Sequence, residues 1–255
     1  MGMLLLRRQG WGRIWIGLVL LAAITSAPEL VTGVSSAVLV GLPDLAMGTL
    51  FGSCLFNLAI LALLDILHRR TPVLSEVRLR HIASAGMGIL LIAIAGGSIF
   101  AGERLSGLAL GWVGVPSIII LILYLVAMWR MFRLEHNHPP PLNNATPQYQ
   151  QGSMKALYFR FALVAAAVIG AGIWVSFIGD EITQTYTWSA SFVGSLFLAI
   201  ITSMPELVVA IAALRLGALD MAVANILGSN MFDIAIIFPV DLFYPRCPVL
   251  ISLRR

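Results

Sequence analysis

Two short runs place oxygen-bearing side chains where a hydrophobic chain has least use for them. Ile24-Thr25-Ser26-Ala27-Pro28-Glu29-Leu30 returns, one letter changed, as Ile201-Thr202-Ser203-Met204-Pro205-Glu206-Leu207, and both copies lie inside long apolar segments. Proline has no amide hydrogen and its ring crowds the carbonyl four residues back, so a helix must open at Ile24 and at Ile201. Within a bilayer, carbonyls freed in this way are tolerated only beside a cavity or inside protein. Thr25, Ser26 and Glu29 add hydroxyl and carboxylate oxygens beside the break, and Thr202, Ser203 and Glu206 repeat them. An all-oxygen donor set of this kind suits a hard cation such as Ca2+ or Na+.

Further oxygens follow at helical spacing. Ser53 and Asn57 are four residues apart, as are Ser229 and Asp233, so each pair shares one helix face. The dipeptides Gly52-Ser53 and Gly228-Ser229 keep those faces small enough for a partner helix to approach closely. An intramembrane carboxylate costs on the order of 3 kcal/mol or more, and Glu29, Glu206 and Asp233 bear that cost at related positions. Pseudo-symmetry is expected to bring Glu29, Glu206, Asp233 and Asn57 to one midplane site.

Two plainer readings compete. Ser26-x-x-Glu29 and Ser203-x-x-Glu206 each match a capping box, but each box begins well inside an apolar run, so it would cap a half-helix within the membrane. The basic start of the chain followed by an apolar run could pass for a secretory signal. The second copy, deep in the chain, excludes that as a general explanation.

The elements that must position these residues are set by hydropathy. The 255 residues are 59% hydrophobic and 11% charged, with a mean hydropathy of +0.94, which excludes a soluble globular domain. The reading is an all-α polytopic membrane protein with crossings at roughly 14–40, 44–67, 82–100, 108–129, 156–178, 189–214 and 218–240. Around the motifs, residues 25–57 align with 202–233, so each copy is a helix pair joined by a tight turn at Gly41-Leu42-Pro43-Asp44 or Gly217-Ala218-Leu219-Asp220. Asp44 and Asp220 are expected to cap the second helix of each pair. The first helices of the two pairs are five crossings apart and must run in opposite directions. That is an inverted-topology repeat with broken helices at the midplane, the architecture of many secondary transporters.

The chain divides into a first repeat region (1–67), connecting transmembrane helices (68–132), a loop (133–155), a second repeat region (156–241) and a non-spanning tail (242–255). Arg7, Arg8, Arg13, Arg69, Arg70, Arg78, Arg80, Arg130, Arg133, Lys155, Arg160 and Arg215 gather on the side of the N-terminus. The bias puts the N-terminus and the long loops in the cytoplasm, with the protein integral to the inner or plasma membrane. The tail departs from the rule, with Arg246, Arg254 and Arg255 on the outer side. The net charge of +4 reflects topology and implies no nucleic-acid partner. Cys54 and Cys247 have no metal or redox spacing, and Cys54 is read as packing. His136 and His138 belong to a solvated linker. Asn144-Ala145-Thr146 fits the glycosylation pattern but on the cytoplasmic side would not be modified.

With both motifs and their inverted order in hand, the chain resembles the sodium/calcium exchanger family of the calcium/cation antiporters. The segments that carry the resemblance are "TSAPEL … GTLFGSCLFN" and "TSMPEL … ANILGSNMFD". The resemblance implies a calcium site of Glu29, Glu206, Thr25 and Thr202. It implies flanking sodium sites that use Ser26, Ser53, Asn57, Ser203, Ser229 and Asp233, with backbone carbonyls of Ala22 and Ala199. Repeat one departs from the pattern at Thr49 and Cys54, while repeat two keeps Asn225 and Asn230. The family's ten-helix arrangement implies a helix before the first motif and two after the second, so the chain is expected to be short of that pattern at one or both ends.

The mechanism this implies is antiport by competition. Three carboxylates in a low-dielectric site need cations or protons to neutralise them, so Ca2+ or several Na+ satisfying the same oxygens would couple two gradients. Ca2+ and Na+ are then transported substrates, and no cofactor or enzymatic reaction is expected. An intramembrane aspartyl protease is disfavoured, because no GxGD motif accompanies a helix aspartate. A proton-coupled cation exchanger uses similar carboxylates and stays open as an alternative. So does a non-transporting or partner-dependent membrane protein that retains the cation site.

Overall fold

The computed structural model describes residues 22–68, 79–105, 107–137 and 154–252. Arg7, Arg8, Arg13, Arg69, Arg70, Arg78, His138, Asn144-Ala145-Thr146, Arg254 and Arg255 lie outside the described residues.

The order of elements follows the apolar segments. Helix α1 (Ala27–Ser35) runs into a π-helical turn at Ser36–Val40, and α2 is Pro43–His68. Helix α3 (Leu79–Ala101) leads through a short 3-10 turn to a hairpin of β1 (Ala109–Leu110) and β2 (Val113–Gly114), then α4 (Val115–Asn137) and α5 (Met154–Tyr186). The second repeat holds α6 (Ala190–Val193), a π-helical turn at Gly194–Leu198, α7 (Ala199–Thr202), α8 (Met204–Arg215) and α9 (Leu219–Ala235). Two short helices close the chain, α10 (Ile237–Phe243) and α11 (Val249–Ser252).

Pro43–His68, His81–Ala101, Ala162–Tyr186 and Leu219–Phe243 are each long and apolar enough to cross a bilayer, and Ala190–Thr202 with Met204–Arg215 makes a fifth span bent by 43°. The other two expected crossings are shorter apolar helices, Ala27–Val40 and Val115–Met131. The first is counted only from the break at Ser26. The second begins late because residues 109–114, expected inside a crossing, form the β-hairpin. Gly111 at its tip has φ of +70°, a conformation that glycine adopts without strain. Helix α4 also runs on to Asn137, into the segment read as linker.

Burial shows which helices are central. The spanning window of Leu219–Phe243 is 72% buried, against 17% for Ala162–Tyr186, so α9 lies in the middle and α5 at the lipid-facing edge. Helix α9 packs on α2, α3 and α8, and α5 packs on α1. A main core gathers Leu50, Leu91, Ile120, Met231 and Ile237 between α2, α3, α4, α9 and α10. A second cluster joins Ile60 and Leu64 of α2 to Ala210 and Ala213 of α8 and Ala222 and Ile226 of α9. The small residues act as expected from their spacing. A Cβ on Gly48 or Gly52 would collide with the backbone of Ser191 or Ser195, and one on Gly194 with the carbonyl of Leu45, so α2 and the α6 segment touch main chain to main chain. Gly228, the repeat mate of Gly52, would place its Cβ 3.2 Å from the Ala22 side chain.

The described part of the C-terminal tail is folded in. Val249 and Leu250 are buried, and the Arg246 guanidinium lies over the Tyr244 ring at 5.7 Å. Asp241 anchors it. Its carboxylate accepts the Gly114 and Val249 amides, each at 2.7 Å, and the Ser117 hydroxyl. The indole of Trp112 donates to the Leu242 carbonyl at 3.0 Å. Nothing in the local pattern around Asp241 announces this knot, which joins three separate parts of the chain.

Candidate cation site

The two breaks are built alike. Ser26 has φ −87°, ψ 12° and Ser203 has φ −88°, ψ 10°, both in the bridge region between helix and extended backbone. Pro28 and Pro205 then occupy the first turn of the following helix, where a missing amide costs least. The backbone is bent without being severed, since the Ser26 amide still donates to Ala22 at 2.9 Å and the Ser203 amide to Ala199 at 3.0 Å. The capping-box reading fails on geometry, for neither serine side chain caps its own helix.

Each serine instead crosses to the other repeat. The Ser26 hydroxyl donates to Oε1 of Glu206 at 2.9 Å, and the Ser203 hydroxyl donates to Oε1 of Glu29 at 2.8 Å. This reciprocal exchange spans more than 170 residues of chain and brings the two motifs face to face. Ser229 adds a third hydroxyl, 3.3 Å from Oε1 of Glu206. Thr25 and Thr202 turn their hydroxyl protons onto the carbonyls of Ala22 and Ala199, at 3.1 and 3.3 Å. That leaves the threonine oxygens with lone pairs to offer beside those carbonyls. Asn57 donates to Oδ2 of Asp233 at 3.4 Å, joining α2 to α9.

Glu29, Glu206, Asp233, Asn57, Ser26, Ser203, Ser53 and Ser229 are fully buried, and Thr25, Thr202, Ala22 and Ala199 nearly or fully so. Among the described residues, Oε2 of Glu29 and of Glu206, Oδ1 of Asp233 and of Asn57, and the Ser53 hydroxyl have no hydrogen-bond partner. Buried carboxylate oxygens left without donors carry a large desolvation cost, which a cation or a proton would offset. The two glutamates and their serines form one group, and Asp233, paired with Asn57, lies near enough to Glu29, Glu206 and Ser26 to interact with all three, although among the described residues no three His, Cys, Asp or Glu side chains form a tight metal-binding cluster.

Other expectations are settled by position. Asp220 does not cap α9: it sits in the first turn and its carboxylate lies 2.6 Å from Nε2 of the buried His81. Asp44 lies in the first turn of α2. Cys54 is buried, its thiol 3.7 Å from the Asn230 carbonyl. The hydroxyl pair Ser35 and Ser176, 2.7 Å apart between α1 and α5, escaped the sequence reading. Single serines in apolar helices carry no pattern that points to a partner.

Residues 4–132 and 156–253 match the family described as sodium/calcium exchanger protein. The chain is 28% identical to inner membrane protein YrbG of Escherichia coli over 92% of its length and 70% of that protein. It is 25% identical to the putative antiporter CaxA of Alkalimonas amylolytica, over 88% of this chain and 68% of the relative. Its fold is similar to that of the sodium-calcium exchanger NCX_Mj soaked with Na+ and Sr2+, with a TM-score of 0.55 at 21% identity, covering 99% of this chain and 79% of that one.

Proposed function

Because this chain belongs to the sodium/calcium exchanger protein family, we propose that it is a secondary active cation antiporter that exchanges Na+ for Ca2+ through the site between the repeats. The observation that carries this reading is the reciprocal pairing of Ser26 with Glu206 and Ser203 with Glu29. It leaves one buried, donor-free oxygen on each glutamate. Ca2+ is held by those carboxylate oxygens with the Thr25 and Thr202 hydroxyls. Na+ is held by the serines with Asn57, Asp233 and the carbonyls of Ala22 and Ala199. Na+ also draws on the Glu29 and Glu206 oxygens that Ca2+ needs, so one ion must leave before the other is fully bound. That competition couples the two gradients, and an unoccupied charged site resists the conformational crossing because its carboxylates stay uncompensated.

The test is radiolabelled calcium uptake into proteoliposomes loaded with sodium and diluted into sodium-free buffer. Sodium-driven uptake is expected, and it is expected to vanish in Glu206→Gln and in Glu29→Gln. High-affinity calcium binding retained by either variant would sink the assignment. Uptake driven equally well by a pH gradient without sodium would instead establish the proton-coupled reading.

A further inference from the structure

Asn225 is fully buried in α9, and neither its Oδ1 nor its Nδ2 has a hydrogen-bond partner among the described residues. Buried amides are nearly always paired, so a side chain with both ends unmet calls for an explanation. Its place on the helix supplies one. Asn225, Ser229 and Asp233 follow one another at intervals of four and share a face of α9. The Ser229 hydroxyl, 3.3 Å from Glu206, fixes where that face points. Asn225 therefore stands one turn, about 6 Å along the helix axis, from Ser229, on the way to the membrane face where the Gly217 turn lies. Ala222, one turn further along α9, is buried in the apolar cluster that joins α2, α8 and α9.

The other repeat shows that this is no general feature of the design. Thr49 occupies the equivalent place on α2, before Ser53 and Asn57, and its hydroxyl is already donated to the Leu45 carbonyl at 2.8 Å. One flank of the site thus ends in a self-satisfied hydroxyl and the other in an amide with a free carbonyl oxygen and two free N–H groups.

We propose that Asn225 is a relay position for the transported cation. Resting on the antiport reading, it has a partly dehydrated Na+ or Ca2+ leave the glutamate site toward the Gly217 face by way of the Asn225 amide oxygen, while Nδ2 holds one of the waters the ion is regaining. The amide oxygen replaces one water of a hard cation, so the ion is never stripped on that flank. Asn225 is not part of the equilibrium site. Its removal slows passage and leaves binding intact.

Two measurements separate these roles: equilibrium binding of radiolabelled calcium to the purified protein, and sodium-driven calcium flux in proteoliposomes. Asn225→Leu is expected to bind calcium within about two-fold of wild type and to carry flux slower by about ten-fold. Asn225→Asp, which keeps the oxygen, is expected to recover much of the rate, and Thr49→Val to change neither quantity by more than about two-fold. Unchanged flux in Asn225→Leu overturns the relay and assigns the amide to a resident water. Loss of equilibrium binding together with flux also overturns it, placing Asn225 in the site or the fold. Wild-type protein that binds no better than Glu206→Gln, or binds without flux, overturns the antiport reading and the relay with it.

Discussion

Glu29 and Glu206 are repeat mates with unequal support. Glu29 accepts one side-chain hydroxyl, from Ser203, whereas Glu206 accepts two, from Ser26 and Ser229. The mate of Ser229 is Ser53, whose hydroxyl is buried without a partner. The pseudo-symmetry is therefore broken within the site, and the two glutamates should respond differently to loss of their serines. Ser203→Ala strips Glu29 of its donor, whereas Ser26→Ala leaves Glu206 with one. Calcium binding is expected to weaken more in Ser203→Ala, by about five-fold relative to Ser26→Ala, since one hydrogen bond contributes about 1 kcal/mol. Isotherms of the two purified variants measured side by side check this, and equal affinities would show that Ser229 does not compensate.

Among the elements, the contact between α2 and the α6 segment tolerates least change. Gly52→Ala drives a methyl group into the Ser195 backbone, and main chain cannot turn aside as a side-chain tip can. A loss of about 1–3 kcal/mol is expected, as for overpacked cores, read as a lower unfolding temperature in detergent. Gly96 and Gly97 of α3 have open space where a Cβ would stand, with no atom within 4 Å. Alanine at either is expected to be neutral or stabilising by up to ~1 kcal/mol, because glycine is the poorer helix former. The same measurement serves as control. Asp241 holds a different junction. Asp241→Ala leaves the buried Gly114 amide without its acceptor, costing about 1–3 kcal/mol, and removes the bond to the Val249 amide. Tail residues 244–250 are then expected to become sensitive to protease while the glutamate site, carried by other helices, keeps its calcium affinity.

For the whole molecule, the inverted repeat places one site between two half-structures of opposite direction, the usual design for alternating access. A shared set of oxygens makes a further demand on the intact protein. Sodium is expected to inhibit calcium binding competitively, raising the apparent dissociation constant without lowering the number of sites, and a fall in site number at saturating calcium would refute shared oxygens. Orientation is a property of the whole chain as well. The excess of Lys and Arg on the side of the N-terminus leads us to expect a reporter inserted near residue 145 to read as cytoplasmic. A periplasmic or external signal would reverse the assignment.

The sequence alone determined what is local. Length and hydropathy place the helices in a bilayer, proline at Pro28 and Pro205 breaks two of them, and the recurrence of the motif after five crossings sets their opposite directions. Donor types at Thr25, Ser26 and Glu29 and their mates name the chemistry, because oxygen ligands cannot be disguised in an apolar run. What only the tertiary structure decided is which groups meet. Ser26 and Ser203 match a capping box by spacing, yet their hydroxyls cross to the opposite glutamate. Asp220 matches a cap and pairs with His81. Asp233 shares a helix face with Ser229 by spacing, and takes its hydrogen bond from Asn57 of the other repeat. Each of these choices depends on which helix packs beside which, over separations of more than a hundred residues. A side chain takes the partner that packing presents, and spacing along one helix cannot register that partner.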